Sequence, residues 1–184
     1  MCEEALDIGC GTRKEGTVNV DINPAVGPDV ACDGHLLPFR NRTFEKCILR
    51  HALEHTSNPD KLMSECHRIL KTKGLIYVTF PNFASFTVLL EWLERKPAYS
   101  DDLILGNRTE RTQWQWQWHK QLCTTITVRA LLSRYSFDIQ KVVGHSPNVG
   151  PKVLRFLGTI IVKLFPERAG SVTIIAKKKN GSSN

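Results

Sequence analysis

No two cysteines stand in CxxC spacing, and the six present (Cys2, Cys10, Cys32, Cys47, Cys66 and Cys123) show no zinc-type pattern. That speaks against a zinc finger and a dithiol redox motif. Reduced thiols in a cytoplasmic protein are expected instead. No apolar run has the length of a membrane span. The nearest, Val153 to Phe165, is too short and carries Arg155 and Lys163. No secretory leader is expected, because the start of the chain is acidic and runs straight into an apolar segment. A Walker-type phosphate loop is missing, as are internal repeats and linkers. What remains is one domain of 184 residues, long enough to bury a substantial core. The net charge of +7 suits an anionic partner such as nucleic acid, a phosphorylated metabolite or an acidic lipid surface. Part of that charge sits in a basic and polar tail, residues 177–184, which is expected to fray.

Periodicity gives alternating strands and helices. Ala5 to Ile8 reads as a short buried strand ending in a glycine turn, Thr17 to Asp21 as a second strand, and Asp29 to Cys32 as a short third. Cys47 to Leu49 is the core of a fourth. A helix follows, with Asn58 as cap, Pro59 at its first position and Asp60 in its first turn. Leu62, Met63, Cys66, Ile69 and Leu70 share its apolar face, and Lys71 and Lys73 place its end near Gly74. Leu75 to Phe80 reads as a buried strand. Asn82 then caps a helix carrying Phe83, Phe86, Leu90 and Leu93, stopped by Pro97. Further elements are a helix over Thr125 to Tyr135, a strand over Phe137 to Val143, an apolar helix over Pro151 to Phe165 and a last strand over Val172 to Ala176. This order indicates an α/β fold with a mostly parallel sheet.

Gly9-Cys10-Gly11 would bring bare backbone to the carboxyl edge of that sheet, where ligands bind in open α/β folds. Asp21 ends the second strand beside this turn, and its carboxylate can accept both hydroxyls of a ribose. Asp33 ends the third and can accept from an adenine amino group. A nicotinamide site is poorly supported. Its GxGxxG pattern lacks the last glycine, Lys14 standing there, and Asp21 follows Gly9 far sooner than the roughly 20 residues of a dinucleotide fold. A nucleoside ligand without phosphates fits better.

Ala5-Leu6-Asp7-Ile8-Gly9-Cys10-Gly11-Thr12 resembles motif I of class I S-adenosylmethionine-dependent methyltransferases. Leu37-Pro38-Phe39, Phe44, Leu53-Glu54-His55, Glu65 with Arg68-Ile69-Leu70, Lys73-Gly74 and Pro81-Asn82 then follow the order seen in the type 11 methyltransferase group. The resemblance implies a single-domain, Rossmann-like methyltransferase fold over residues 1–176, with a seven-strand sheet, an antiparallel last strand and helices on both faces. It implies S-adenosyl-L-methionine as cofactor. Gly9, Cys10 and Gly11 would face its methionine part, with Asp7 beneath orienting the turn. Asp21 would hold the ribose, Asp33 and Gly34 would border the adenine, Arg50 and His51 would face the sulfonium end, and Ile22 would also line the cofactor site. The chain departs from the pattern in a shortened N-terminus and a first crossover of only residues 9–16, where a parallel connection normally takes a dozen or more. An extended path is expected there.

No metal is expected. Glu54 and His55 are read as fixing the loop after the fourth strand, while His51 lines the transfer site. The alternative is a metal held by His51, Glu54 and His55, whose spacing puts them on one helical face. Residues 96–123 show no period and read as a substrate lid, with Trp114, Trp116 and Trp118 alternating on one side of an extended segment. Arg108, Arg111 and Lys120 around them also suit single-stranded nucleic acid. The Pro151–Phe165 helix reads as packed on the sheet rather than lying on a membrane surface.

The expected reaction is methyl transfer to an O, N or C nucleophile of a small-molecule or RNA acceptor. His51 is the first candidate base, and His119 and His145 the next, because histidine titrates near neutrality. The competing readings are a non-catalytic domain that senses the cofactor or has lost it, and a nucleotide-dependent oxidoreductase.

Overall fold

The computed structural model describes residues 4–86, 88, 119–145, 160 and 162–180. Seven strands form one sheet: β1 (Ala5–Ile8), β2 (Val18–Asp21), β3 (Val30–Ala31), β4 (Phe44–Arg50), β5 (Leu70–Pro81), β6 (Phe137–His145) and β7 (Ser171–Lys178). Their order is β3-β2-β1-β4-β5-β7-β6. β1 to β5 pair in parallel, and β7 runs antiparallel to both β5 and β6. The chain winds outward from β1 in one direction and from β4 in the other. The switch between β1 and β4 opens a crevice at the carboxyl ends of these strands.

The first crossover contains no helix. Side chains bonded to the backbone hold it instead: Asp7 Oδ2 accepts from Glu15 N at 3.0 Å, and Thr17 Oγ1 accepts from Ala5 N at 2.9 Å while donating to Ala5 O at 3.0 Å. Gly16 makes this close approach feasible. A Cβ there would lie 2.5 Å from Val18 O and 2.8 Å from both Ala5 O and Asp7 N. Gly16→Ala is therefore expected to destabilise the protein by about 3 kcal/mol, since all three obstructing atoms are backbone. Urea denaturation of the two proteins measures it, and a loss under about 0.5 kcal/mol would show that the crossover relaxes freely.

Helix α1 (Pro59–Ile69) starts as its sequence predicts, with Asn58 Oδ1 accepting from Lys61 N at 2.9 Å. It buries Leu62, Met63, Cys66 and Ile69. It ends earlier than expected. The chain enters β5 directly at Leu70, and residues 71–74 bulge, Phe44 pairing with Leu70 but Lys46 with Leu75. Lys73 sits at φ +65° in this bulge, where a glycine would be at ease. No glycine caps α1. Lys178 of β7 supplies its ammonium group to His67 O at 2.5 Å and Leu70 O at 2.8 Å. Lys177 and Lys178, expected in a frayed tail, are thus part of β7, and Lys178 is buried.

Asn82 is a second departure. It is buried, and its Nδ2 donates to Glu167 O at 2.8 Å and Ala169 O at 3.0 Å, latching the turn that leads into β7. The capping position passes to Ser85, whose Oγ accepts from Val88 N at 3.3 Å. Most of the helices expected over 82–93 and 151–165 lies outside the described residues, as do Trp114, Trp116 and Trp118 of the expected lid. Helix α2 (Thr125–Arg134) packs against α1 and is tied to it by Arg134 Nη1 and Tyr135 Oη, both on Asp60. No helix among the described residues is long and apolar enough to cross a membrane.

Candidate functional site

The carboxyl ends of β1, β2 and β4 enclose a hollow of about 760 Å³, bordered by Gly9, Gly11, Asp21, Ile22, Asp33 and His51. That volume falls in the ordinary range for a ligand site. β1 reaches it through two left-handed glycines, Gly9 at φ +70° and Gly11 at φ +54°. A Cβ on Gly9 would stand 2.8 Å from Ala52 Cβ, so the loop after β4 closes over that residue. A Cβ on Gly11 would meet nothing within 4 Å, so this backbone stays open for a ligand's approach.

Asp21 lies directly against the glycine turn. Its Oδ2 accepts from Gly11 N and its Oδ1 from Asn23 N, both at 2.9 Å. Each oxygen keeps a second acceptor position, enough for two vicinal hydroxyls. Ile22, about half exposed, offers an apolar surface beside it. Asp33 Oδ1 accepts from His35 N at 2.9 Å and pairs with His35 Nδ1 at 2.7 Å, and His35 Nε2 bonds Thr56 Oγ1 at 2.6 Å. The sequence reading had singled out neither His35 nor Thr56. Gly34 completes the floor, where a Cβ would press on Ile8 and Leu62 at 3.1 Å.

Asp7 and Cys10 lie under the site and do not line it. Burial, opposed by the hydrogen bond from Glu15 N, raises the Asp7 carboxyl above its ordinary range. Cys10 contributes its backbone, donating to Val20 O at 3.1 Å. Its thiol is pushed up by burial and by Asp21, so it remains a protonated, buried group. Arg50 requires a correction as well. It does not border the hollow. Its Nη2 donates to Arg13 O at 2.6 Å and its Nε pairs with Glu15 at 3.1 Å, pinning the helix-free crossover. Without a helix between β1 and β2, that loop passes within reach of the guanidinium.

His51 sits at the rim with φ +52°, an unusual conformation for a side chain with Cβ and one that gathers at functional sites. Its backbone N donates to Thr79 O at 2.9 Å. Its Nδ1 lies 3.1 Å from Oε1 of Glu54, which is 1% exposed. With Nδ1 on that carboxylate, Nε2 is left for chemistry in the hollow. His119 arrives from the far side of the region absent from the described residues. Glu54 O accepts from Lys120 N at 2.7 Å and Gln121 N at 3.1 Å, and this docking brings His119 to the hollow beside His55. Burial lowers the His119 pKa. The ligand-capable atoms of Glu54, His55 and His119 lie within 4.8 Å of one another, so His119 stands where the sequence alternative had put His51.

His145 does not join this group. It ends β6, its Nε2 bonded to Thr173 Oγ1 at 2.7 Å. Three strand spacings separate β6 from β4 in the sheet order, roughly 14 Å. Strand order, which the sequence does not display, decides this.

Residues 6–78 match the family model described as a methyltransferase domain, of type 11. An uncharacterized protein of Methanocaldococcus jannaschii is 31% identical over 91 residues, covering 42% of this chain. The match spans 36% of that relative's length. Among solved structures, a SAM-dependent methyltransferase from Archaeoglobus fulgidus shares the fold with a TM-score of 0.60 at 22% identity, over 96% of this chain and 86% of that one. The [4+2]-cyclase SpnF is similar too, with a TM-score of 0.62 at 16% identity over 97% and 76% of the two chains. The same fold thus supports more than one reaction, and residues at the site must carry the functional argument.

Proposed function

We infer that the chain belongs to the class I S-adenosylmethionine-dependent methyltransferases, type 11 group, a family whose cofactor is S-adenosyl-L-methionine. We propose that it transfers a methyl group to an O, N or C nucleophile of a small-molecule or RNA acceptor. One observation carries the proposal: the Asp21 carboxylate, fixed by Gly11 N and Asn23 N, has acceptor capacity left beside an open glycine turn. That arrangement suits a nucleoside with free ribose hydroxyls.

In this reading Asp21 holds the ribose, Ile22 and Asp33 border the adenine, and Gly9 and Gly11 face the amino-acid end. Asp7 orders the turn through Glu15 N rather than by contact. The bound cofactor supplies a methyl group activated by a cationic sulfur. The protein's main task is then to hold both reactants in line, a proximity effect worth up to roughly 7–11 kcal/mol. His51 takes the proton released by an attacking hydroxyl, and buried Glu54 fixes its ring and steadies the resulting charge. His119, also close to Glu54, stands second.

Calorimetric titration tests the first half. Binding of S-adenosylmethionine and S-adenosylhomocysteine, with none of NAD, is the expected result. No heat at millimolar ligand would favour the non-catalytic reading, and a preference for NAD would favour an oxidoreductase. His51→Ala tests the second half. It is expected to lower kcat about 10²–10⁴-fold, as for a general base, while cofactor affinity changes less than about threefold. Unchanged kcat would remove His51 from the mechanism. A cytoplasmic location agrees with the free state of Cys10, Cys32, Cys47, Cys66 and Cys123.

A further inference from the structure

We infer that Glu54, His55 and His119 form a site for one first-row divalent cation of the zinc class, at the His51 side of the hollow. The cluster offers two imidazoles and one carboxylate, all within 4.8 Å of one another. Two polar atoms carry the inference beyond mere proximity. Glu54 Oε2 and His119 Nδ1 are both buried, and neither has a hydrogen-bond partner. Buried polar atoms in native proteins are almost always satisfied, so a pair of orphans in one cluster calls for a shared partner. Glu54 sharpens the point. It is 1% exposed, and its one ion-pair partner among the described residues is His51, which takes the other oxygen. A buried carboxylate without a compensating charge is costly, and a dication supplies that charge.

The ligand set fits the chemistry. Two histidines and one carboxylate form a three-ligand protein site of the kind that leaves a position open for water or substrate. His55 and His119 both border the hollow, so the open position faces the space where an acceptor would sit. Bonds of about 2.0–2.1 Å in a tetrahedral site put ligand atoms about 3.4 Å apart. Binding would therefore draw ligand atoms that now lie up to 4.8 Å apart closer together. His51 stays on Glu54 Oε1 and orients the carboxylate without touching the ion. An acceptor oxygen on such an ion would lose its proton more readily, which joins the site to the proposed methyl transfer without depending on it.

The test is a titration of chelator-treated protein with Co²⁺, read by its visible absorption, followed by competition with Zn²⁺. No methyl donor is added, so failure here leaves the cofactor reading intact. The expected result is saturation at one Co²⁺ per chain and displacement by Zn²⁺. His119→Ala, His55→Ala and Glu54→Gln should each weaken binding at least tenfold, with His145→Ala leaving it unchanged. Circular-dichroism melts verify that each variant is folded. If Glu54→Gln does not fold, the half-buried His119 still decides the matter. Absence of saturable binding, or binding indifferent to His119→Ala, overturns the proposal and leaves an ordered water as the partner of both orphans.

Discussion

Replacing Asp21 with alanine is expected to reduce affinity for S-adenosylmethionine and S-adenosylhomocysteine by about 10²–10⁴-fold. Hydrogen bonds to a charged group contribute about 1.5–3 kcal/mol each, and the carboxylate has room for two ribose hydroxyls. At about 1.4 kcal/mol per decade, losing both gives that range. The substitution also leaves Gly11 N and Asn23 N without their acceptor, so the glycine turn loses its fixed shape as well. Asp21→Asn keeps one acceptor oxygen but loses the charge, and a smaller loss of about tenfold is expected. Isothermal titration of the three proteins measures the series. Equal affinity in wild type and Asp21→Ala would refute the ribose assignment, and with it the orientation of the whole cofactor.

The second large effect is on stability and concerns Arg68. Its Nε and Nη2 donate to Glu65 at 2.8 Å each, its Nη2 also reaches Leu37 O at 2.9 Å, and its Nη1 reaches Phe39 O at 2.6 Å and Asn41 Oδ1 at 3.0 Å. Glu65 Oε2 in turn accepts from Leu37 N at 2.8 Å. One guanidinium therefore staples the segment 37–41 to α1 and holds Phe39 edge-on to Phe44 with ring centres 5.1 Å apart. Arg68→Ala is expected to cost about 3 kcal/mol, the low end for breaking a buried pair because the arginine is partly exposed. For a chain of this size that lowers Tm by about 6–12 °C. Lysine should not rescue it, since an ammonium cannot serve the planar, forked contacts.

The same pair sets a pH dependence. The Arg68 hydrogen bond, followed in weight by the opposing effect of burial and then by Leu37 N, holds the Glu65 carboxyl below its usual range. A folded-state pKa below the unfolded value gives stability that is complete above the unfolded pKa, about 4.3. It is lost as pH falls through the depressed folded value. The stability gap between wild type and Arg68→Ala should therefore be full at neutral pH and shrink at the acid end, below about pH 4. Urea titrations at pH 7 and pH 3.5 check the sign. A gap that widened in acid would show that Glu65 is not the group involved.

Local chemistry made part of this protein legible in advance. Asn58, Pro59 and Asp60 announced where α1 begins, because cap geometry is decided by a few neighbouring residues. Gly9, Gly11 and Asp21 announced the crevice, because a tight left-handed turn and a strand-end acid are written in consecutive positions. The end of α1 was not legible. Its periodic face runs on through Leu70, and what stops it is a lysine from the opposite end of the chain taking the His67 and Leu70 carbonyls. Arg50 was misread for a related reason. The resemblance placed this last residue of β4 at the sulfonium end, whereas the missing helix in the first crossover leaves Glu15 and the Arg13 carbonyl where the guanidinium captures them. Gly16 drew no notice in the sequence, being the last of three glycines between β1 and β2, and only the three-dimensional approach of Val18, Ala5 and Asp7 shows why it matters.

Alternating apolar periods, a glycine turn and a strand-end carboxylate sufficed, from the sequence by itself, to determine an α/β sheet with a nucleoside-sized crevice at its carboxyl edge. Which histidines share that crevice was decided by the tertiary structure alone. His145 and His119 look equivalent on paper, yet sheet order carries one to the far edge while the docking of Lys120 and Gln121 on Glu54 brings the other in. Propensity and period act over a few residues, but the position of a side chain across a sheet depends on which strands pair, and no local pattern encodes that.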